Sequence, residues 1–382
     1  MPRQPKIISV KRTSDKNKED IKVLKRALKN KSTRPQIQNG KKYINLKRAV
    51  INPDCESKTV LTDSTWTYVE ILLNQMKAEE AVTYWRQAKN FYIASEQLDL
   101  ISKPLTTYYC LLNSTKALLK FKGVNFNLKH GVSGKRIDKQ AKLQNEFIQI
   151  KPQGVLSGLC SYFGQQVNQN EPVHTIKDLF YNLPFIHRSF QLTYNSPAAY
   201  SELFVPIINP RFVHDKHRKK GWFEFELEKE HSHKRTLTRL QGFSIDRLYD
   251  NSEIYTLRRN KVFDWDCKRN IPQGNSFAKF GRYYRNIRKR LNYIYSHEDL
   301  WYIKRFDLQN HLIDKHPAIL IFAAMHRLSE LSRYQPQVLK RHLESSHSWL
   351  LTEFINKSMF QFIDVISSEI TGHDFRMTGF RK

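Results

Sequence analysis

A chain of 382 residues with a hydrophobic fraction of 40% is long enough for two or three structural units, each with its own core. Its 64 Lys and Arg residues outnumber 36 Asp and Glu residues, which gives a formal net charge of +28. Such a charge favours an anionic partner, with nucleic acid first and an anionic membrane surface second.

The four cysteines are widely separated and none forms a C-x-x-C pair, which argues against a thiolate zinc site and against a disulfide framework. The chain has no run of 18 apolar residues, so no transmembrane helix is predicted. The first residues lack the apolar stretch of a secretory signal. We therefore expect a reduced, cytoplasmic protein that does not associate with membranes.

The N-terminal region, residues 1–60, is predicted to be a basic arm. Residues 1–48 contain 16 Lys and Arg and three acidic residues, and apolar residues are sparse. The alternatives are an arm that lies on phosphates and a solvated tail that aids solubility. The predicted phosphate contacts of the arm are Lys11, Arg12, Lys25, Arg26, Lys41 and Lys42.

Residues 61–200 are predicted to be a helical region. Asp63 or Ser64 can cap a first helix, and a second helical pattern follows it. Ser102 and Pro104 mark the start of a third helix, which Gly123 ends. Residues 124–200 are mixed, with loops punctuated by Gly and Pro.

Residues 201–275 are predicted to be a small antiparallel sheet inserted into the helical protein. LFVPII, WFEFELE and EIYTLRR are rich in strand-forming residues, and KHRKKG forms a charged turn. This turn supplies three predicted phosphate contacts, Arg218, Lys219 and Lys220. The glutamates of WFEFELE alternate along the strand, and we expect an exposed acidic face there.

Residues 276–382 return to helix and are predicted to pack on the first helical region. The first helix of this part is basic and amphipathic, and it carries the predicted phosphate contacts Arg282, Arg285, Arg288 and Lys289. Tyrosines are interleaved with these cations: Tyr283, Tyr284, Tyr293 and Tyr295. They could stack on bases of a single strand or anchor the helix in the core, and the pattern leaves both open.

Two stretches carry a family likeness. The first is KPLTTYYCLLNSTKALLKFKGV followed by HGVSGK, with Tyr108, Lys116 and His130; the second is HPAILIFAAMHRLSELSRYQP, with Arg333 and Pro336. Together they resemble the YaaC-like family of bacterial proteins over most of residues 80–382. The resemblance implies no established activity. Its helical core is similar to HEPN-type domains, which implies RNA binding or ribonuclease activity and a role in anti-phage defence.

A HEPN-type ribonuclease needs an Arg and a His with four to six residues between them, because the cation holds the phosphate and the imidazole moves the proton without a metal. Arg341 and His347 are the preferred catalytic pair, since they lie between two strong C-terminal helices. Three further pairs occur, about as many as chance provides: Arg211 with His217, Arg290 with His297, and Arg305 with His311.

Other chemistries are less well supported. GVSGKR has the wrong spacing for a phosphate-binding P-loop, and no metal or cofactor is predicted. The predicted fold is α+β and mainly α, with a HEPN-like helical core, an inserted small antiparallel sheet and the basic arm. The predicted function is nucleic-acid binding, with RNA slightly favoured over DNA. Two alternative functions are left open, a metal-independent ribonuclease and a protein-binding adaptor subunit. The protein could also form a homodimer or associate with a partner subunit.

Overall fold

The computed structural model describes residues 34–194, 202–227, 229–231, 236–237, 240–246, 255–296, 300–305 and 311–377. The fold is mixed α+β, as the sequence predicts at this level. The chain divides into two compact units, each built from two segments. Unit 1 comprises residues 1–46 and 207–284, and unit 2 comprises residues 47–206 and 285–382. The predicted arm contacts Lys11, Arg12, Lys25 and Arg26 lie outside the described residues.

The helices of the described chain lie mainly in unit 2. In chain order they are α1 (Thr65–Gln75), α2 (Glu79–Ser95), α3 (Lys103–Phe121), α4 (Val155–Tyr162), α5 (Ile176–Tyr181), α6 (His187–Thr193), α7 (Ser276–Arg288), α8 (Pro317–Tyr334), α9 (Pro336–Leu343) and α10 (Ser348–Thr371). No helix in this part of the chain is both long and apolar enough to cross a membrane.

Local sequence signals set several helix ends. The Ser64 side chain accepts a hydrogen bond from the Thr67 N–H and caps α1, as predicted. Pro104 lies in the first turn of α3, and Gly123 follows its end with a φ of 66°, a conformation that glycine adopts without strain. Pro336 follows the end of α8 and occupies the first position of α9.

The core of unit 2 forms where α3, α8 and α10 pack together. The middle of α8, residues 318–325, is almost completely buried, and Leu111, Leu118, Phe354 and Phe362 pack within the same apolar cluster. Because α8 and α3 are buried over most of their circumference, their sequences are apolar on more than one face. The C-terminal helices therefore pack on the first helical region.

The strands form one large sheet and several small ones. In chain order they are β1 (Gln38–Asn39), β2 (Lys42–Tyr43), β3 (Val60–Thr62), β4 (Val132–Arg136), β5 (Glu146–Ile150), β6 (Val173–Thr175), β7 (Phe204–Asp215), β8 (Lys220–Leu227), β9 (Phe243–Ile245), β10 (Tyr255–Arg259), β11 (Phe263–Asp264), β12 (Cys267–Lys268), β13 (Ile271–Pro272), β14 (Leu291–Ile294), β15 (Leu300–Lys304) and β16 (Phe375–Met377).

The large sheet is antiparallel and has seven strands, in the order β14-β15-β7-β8-β10-β9, with β11 beside β8. Within unit 1, β8 pairs with β10 so that Phe225 lies opposite Leu257. Phe212 of β7 and Phe263 of β11 pack with the aromatic residues of α7, where Phe280, Tyr283 and Tyr284 are buried. These aromatic residues form the hydrophobic core of unit 1.

Two parts of the chain differ from the sequence predictions. Segment 34–60 was assigned to the arm, yet Ile37, Ile44 and Val50 are buried there. Within unit 2, Arg48 is 5% exposed, and its guanidinium lies 2.6 Å from the Asp364 carboxylate. Residues 124–200, predicted to be mixed, contain the three-stranded sheet β4-β5-β6, which the sequence did not predict. The GVSGKR motif, which lacks the spacing of a P-loop, supplies β4.

Candidate functional site

Three neighbouring turns of unit 1 carry exposed cations. The β1–β2 turn contacts the β12–β13 turn, because the Gly40 N–H donates to the Asn270 carbonyl at 3.0 Å and the Asn270 amide donates to Gln38 at 2.8 Å. The β7–β8 turn joins the same region, because the Trp265 N–H donates to the Lys219 carbonyl at 2.9 Å. These backbone contacts hold short, charged turns together that are far apart in sequence.

The exposed cations of these turns form what we call the basic turn cluster. Its members are Lys41, Lys42, Lys216, Arg218, Lys219, Lys220, Lys268 and Arg269. The described residues offer no ion-pair partner to Lys41, Lys42, Lys216, Lys268 or Arg269. Reading the sequence missed Lys216, Lys268 and Arg269, although CKRNIP had the strand–turn–strand pattern of a hairpin.

Three members of the cluster, Arg218, Lys219 and Lys220, and the nearby Lys279 have acidic partners. Lys219 lies 2.8 Å from Asp266, and both Lys220 and Lys279 contact Asp264, at 2.5 and 2.7 Å. Hydrogen bonds from these two lysines, together with their charges, lower the pKa of Asp264 to about 2. All these side chains are substantially exposed, so the pairs are weak and their cations stay available to phosphate.

The predicted cations of the basic helix fall into two groups. Arg282, Arg285 and Lys289 are exposed. Arg288 is 4% exposed, and its guanidinium donates to the carbonyls of Lys47, Arg48 and Leu291 at 2.7–2.9 Å. It is thus a structural cation of unit 2 and not part of a phosphate-binding face.

The tyrosines interleaved with those cations are mainly structural. Tyr283 is 4% exposed and its hydroxyl accepts a hydrogen bond from the Phe223 N–H at 3.0 Å, while Tyr284 is 1% exposed. The Arg48 guanidinium lies 4.3 Å from the centre of the Tyr293 ring. Tyr283 and Tyr284 therefore anchor the helix in the core and are not available to stack on bases.

The structure does not bring Arg341 and His347 together as a catalytic pair requires. Arg341 is exposed on the last turn of α9, whereas His347 is 4% exposed. The His347 ring contacts His342 Nδ1 at 3.0 Å and the Ser345 hydroxyl at 2.9 Å. Burial lowers the pKa of His347 to about 4, with a further contribution from His342. A buried, hydrogen-bonded imidazole of this kind stabilises the fold.

A buried carboxylate organises the polar network to which His347 belongs. Glu146 on β5 is fully buried and accepts hydrogen bonds from His342 Nε2 at 3.0 Å and from the Arg327 guanidinium at 2.8 and 3.0 Å. Burial opposes ionisation of Glu146, but the hydrogen bond from His342 and the charge of Arg327 outweigh it and lower its pKa. Arg327 also pairs with Glu330 at 2.9 Å.

Beside this network, segments distant in sequence meet around an exposed histidine, an arrangement we call the His130 cluster. His130 precedes β4, and its Nδ1 lies 2.5 Å from the Tyr108 hydroxyl on α3. Burial raises the pKa of Tyr108, so the phenol keeps its proton and donates to Nδ1. The protonated Nε2 of neutral His130 is then free to donate to a ligand.

The surroundings of His130 combine cations with a buried imidazole. The ring of His326 lies 5.0 Å from Tyr108 and 5.5 Å from His130, and burial lowers its pKa to about 3. Burial also lowers the pKa of His130, and the positive charges of Lys116 and Arg333 add to this, while the charge of Glu330 opposes it. Two cations and the N–H of an exposed imidazole can together bind an anion.

Among the described residues, no cluster of His, Cys, Asp and Glu side chains is suited to hold a metal ion. The side chains around His130 offer hydrogen bonding, proton transfer and anion binding. Tyr108, Lys116, His130 and Arg333 are all residues of the two sequence stretches that carry the family likeness, and folding brings those stretches together here.

The fold and the His130 cluster define a mixed α+β protein whose signature residues converge on its helical unit. The chain belongs to the YaaC-like Protein family, whose sequence profile matches residues 53–370. The β1–β2 hairpin and the arm precede the matched region. Nothing matches the chain among curated proteins or among solved structures.

Proposed function

We propose that this protein binds nucleic acid, RNA in preference to DNA, through the basic turn cluster of unit 1. The observation that carries the proposal is the convergence of three turns that carry eight exposed lysines and arginines, five of which have no ion-pair partner among the described residues. Cations held close together repel one another, and a phosphate backbone relieves that repulsion while it releases counterions.

The surrounding sequence supports the same partner. Arg34 lies over the Trp222 ring and pairs with Asp246 in unit 1. The 33 residues that precede it in sequence are rich in Lys and Arg. A net charge of +28 adds attraction for a polyanion over longer distances. Contacts from lysines and arginines to phosphates position a nucleic acid without reading its sequence.

The test is the salt dependence of binding. Each cation on a phosphate contributes about 0.7 to the slope of log affinity against log salt for a single strand and about 0.9 for a duplex. Replacing Lys41, Lys42, Lys268 and Arg269 with Gln removes four such cations. We expect the slope for a single-stranded RNA oligonucleotide to fall by about 3 and the affinity in low salt to drop steeply.

A matched control separates the cluster from net charge. Replacing four exposed, scattered lysines of unit 2 with Gln removes the same formal charge; these are Lys58, Lys77, Lys135 and Lys139. We expect this control to keep most of the wild-type slope. Equal losses in both variants would show that binding is nonspecific, and an absence of binding by the wild type at low salt would refute the proposal. Parallel titrations with DNA of the same sequence test the preference for RNA.

A second candidate function is a metal-independent ribonuclease with a HEPN-like core, acting in anti-phage defence. The observation that favours it is the His130 cluster, which places a proton donor beside Lys116 and Arg333. In this proposal the charge of a bound phosphate favours the imidazolium form of His130. As the 2′-oxygen bonds to phosphorus and the 5′-oxygen leaves, the exposed His130, and not the buried His347, gives its proton to the leaving oxygen, and the 2′-OH proton passes to water. The two cations would hold the scissile phosphate.

A further inference from the structure

Unit 2 contains a cavity of about 300 Å3 that lies outside the His130 cluster. It is bounded by the N-terminus of α1, one face of α2, Tyr295 and the middle of α10. This volume is at the lower end of the range for small-molecule sites in proteins. The cavity is large enough for a small ring system.

The walls of the cavity are largely aromatic. The rings of Trp66 and Tyr92 lie 5.4 Å apart, and Phe360 meets Tyr92 edge-on at 6.2 Å. Ile93 and Ile363 complete the apolar lining. Flat rings and branched aliphatic side chains favour a planar ligand. Such a ligand can stack on the aromatic rings and bury both of its faces.

A buried carboxylate at the cavity has unused hydrogen-bonding capacity. Asp364 is 6% exposed, and its Oδ1 accepts a hydrogen bond from Arg48 at 2.6 Å. Its Oδ2 has no hydrogen-bond partner among the described residues. A buried acceptor without a donor is unfavourable, and a ligand N–H at this position would supply the missing hydrogen bond.

The charge balance selects a neutral ligand. The lining residues Asp63 and Lys89 contribute one charge of each sign. Arg48 neutralises Asp364, and it is itself held over the Tyr293 ring at 4.3 Å. A carboxylate that already has a cationic partner gains little from a second cation, but it remains a strong acceptor for a neutral N–H group. The aromatic cavity therefore differs from a cage for an organic cation, in which the carboxylate would be unpaired.

We propose that this cavity binds a nucleobase that carries an exocyclic amine, as a free nucleoside or nucleotide. The ring stacks against Trp66 and Tyr92, and the amine donates to Asp364 Oδ2. The site lies in unit 2 and uses none of the basic turn cluster, so its occupancy and the binding of nucleic acid by unit 1 can be lost separately.

Calorimetric titration of the full-length protein tests the proposal with adenosine and cytidine as probes. Purine riboside, which lacks the amine of adenosine and is otherwise the same, is the matched analogue. We expect adenosine or cytidine to bind and purine riboside to bind at least tenfold more weakly than adenosine. Choline tests the organic-cation alternative. Binding of choline without binding of nucleosides, or no nucleoside binding at millimolar concentration, would overturn the proposal.

Two isoleucines of similar exposure give matched variants. Ile93 is 50% exposed and lines the cavity, whereas Ile71 is 51% exposed on α1 and does not. Ile93→Trp fills the cavity from its open side and should reduce nucleoside affinity at least tenfold, while Ile71→Trp should leave it unchanged. Unchanged affinity in Ile93→Trp would show that the nucleoside binds elsewhere.

Asp364→Asn tests the polar contact. The substitution should remove most of the preference for adenosine over purine riboside while leaving the weaker binding of purine riboside in place. A melting curve checks that the variant is folded, since Arg48 loses its charged partner. If Asp364→Asn does not fold, the two isoleucine variants alone test whether the nucleoside binds in this cavity. A preference that persists in folded Asp364→Asn would contradict the role of the carboxylate.

Discussion

The stability of unit 2 should depend on Glu146 more than on any comparable surface acid. Glu146→Ala leaves the Arg327 guanidinium with Glu330 as its remaining carboxylate partner and removes the acceptor of His342, and both partners are buried. Removing one member of a buried ion pair destabilises a protein by about 3–5 kcal/mol when the other charge stays buried, and Glu330, which is 26% exposed, compensates Arg327 only in part. We expect a loss in this range.

Urea denaturation followed by circular dichroism measures the loss. Glu146→Gln keeps the volume but not the charge, and we expect about 1–3 kcal/mol for it. Glu344→Ala is the control, since Glu344 is 61% exposed and its helical pair with Lys340 is worth at most about 0.5 kcal/mol. A loss below about 1 kcal/mol for Glu146→Ala would refute the reasoning and show that the network relaxes or admits water.

The remaining predictions concern two histidines. If the wild type cleaves RNA, His130→Ala should abolish the cleavage in a gel assay and change RNA binding by less than a few fold. His347→Ala is expected to lower the stability of the protein instead. Cleavage that survives His130→Ala would exclude His130 as the proton donor. The folded pKa of His326 is lowered to about 3, so its contribution to stability is fully present above its unfolded pKa near 6.5 and is lost as the pH falls below that value. The unfolding free energy of the wild type should fall between pH 6.5 and pH 5, and His326→Phe should reduce this fall by about 2 kcal/mol. As a control, His217→Phe at an exposed position should leave the fall as in the wild type. An unchanged fall in His326→Phe would show that the imidazole is not buried in its neutral form.

Much of the helical part of the fold could be predicted from local patterns. Ser64, Pro104 and Pro336 act within one turn of the chain, so their effects can be read directly from sequence. The β-rich segment was recognised for a similar reason, since alternation along β8 reflects its two faces. The family likeness also followed from contiguous stretches, and the match over residues 53–370 confirms it.

Contacts between distant segments could not be predicted in this way. The exposed acidic face expected on β8 is wrong at Glu224, which is fully buried and lies 2.7 Å from Arg211 thirteen residues away. Arg288 looked like a surface cation because its helix is amphipathic, yet three backbone carbonyls surround its guanidinium. In each case a partner that sequence spacing does not reveal compensates the desolvation of a charge.

The His130 cluster could not be predicted from the sequence for the same reason. Its histidine, tyrosine and arginine were each visible within the family stretches, but their sequence separations gave no reason to group them. The Arg–His spacing rule selected Arg341 and His347 instead, and spacing along a chain does not report which side chain faces solvent. The geometry around His130 depends on how α3 and α8 pack.

The interleaving of the two units has a consequence for synthesis. Because unit 1 uses residues up to 284 and unit 2 needs residues up to the end of the chain, unit 1 can be complete on the ribosome while unit 2 still lacks α8 and α10. The first segment of unit 2, residues 47–206, must then wait with an exposed apolar surface until its second segment emerges. Truncation after residue 284 would leave that surface permanently uncovered, and such a fragment should aggregate or require a chaperone.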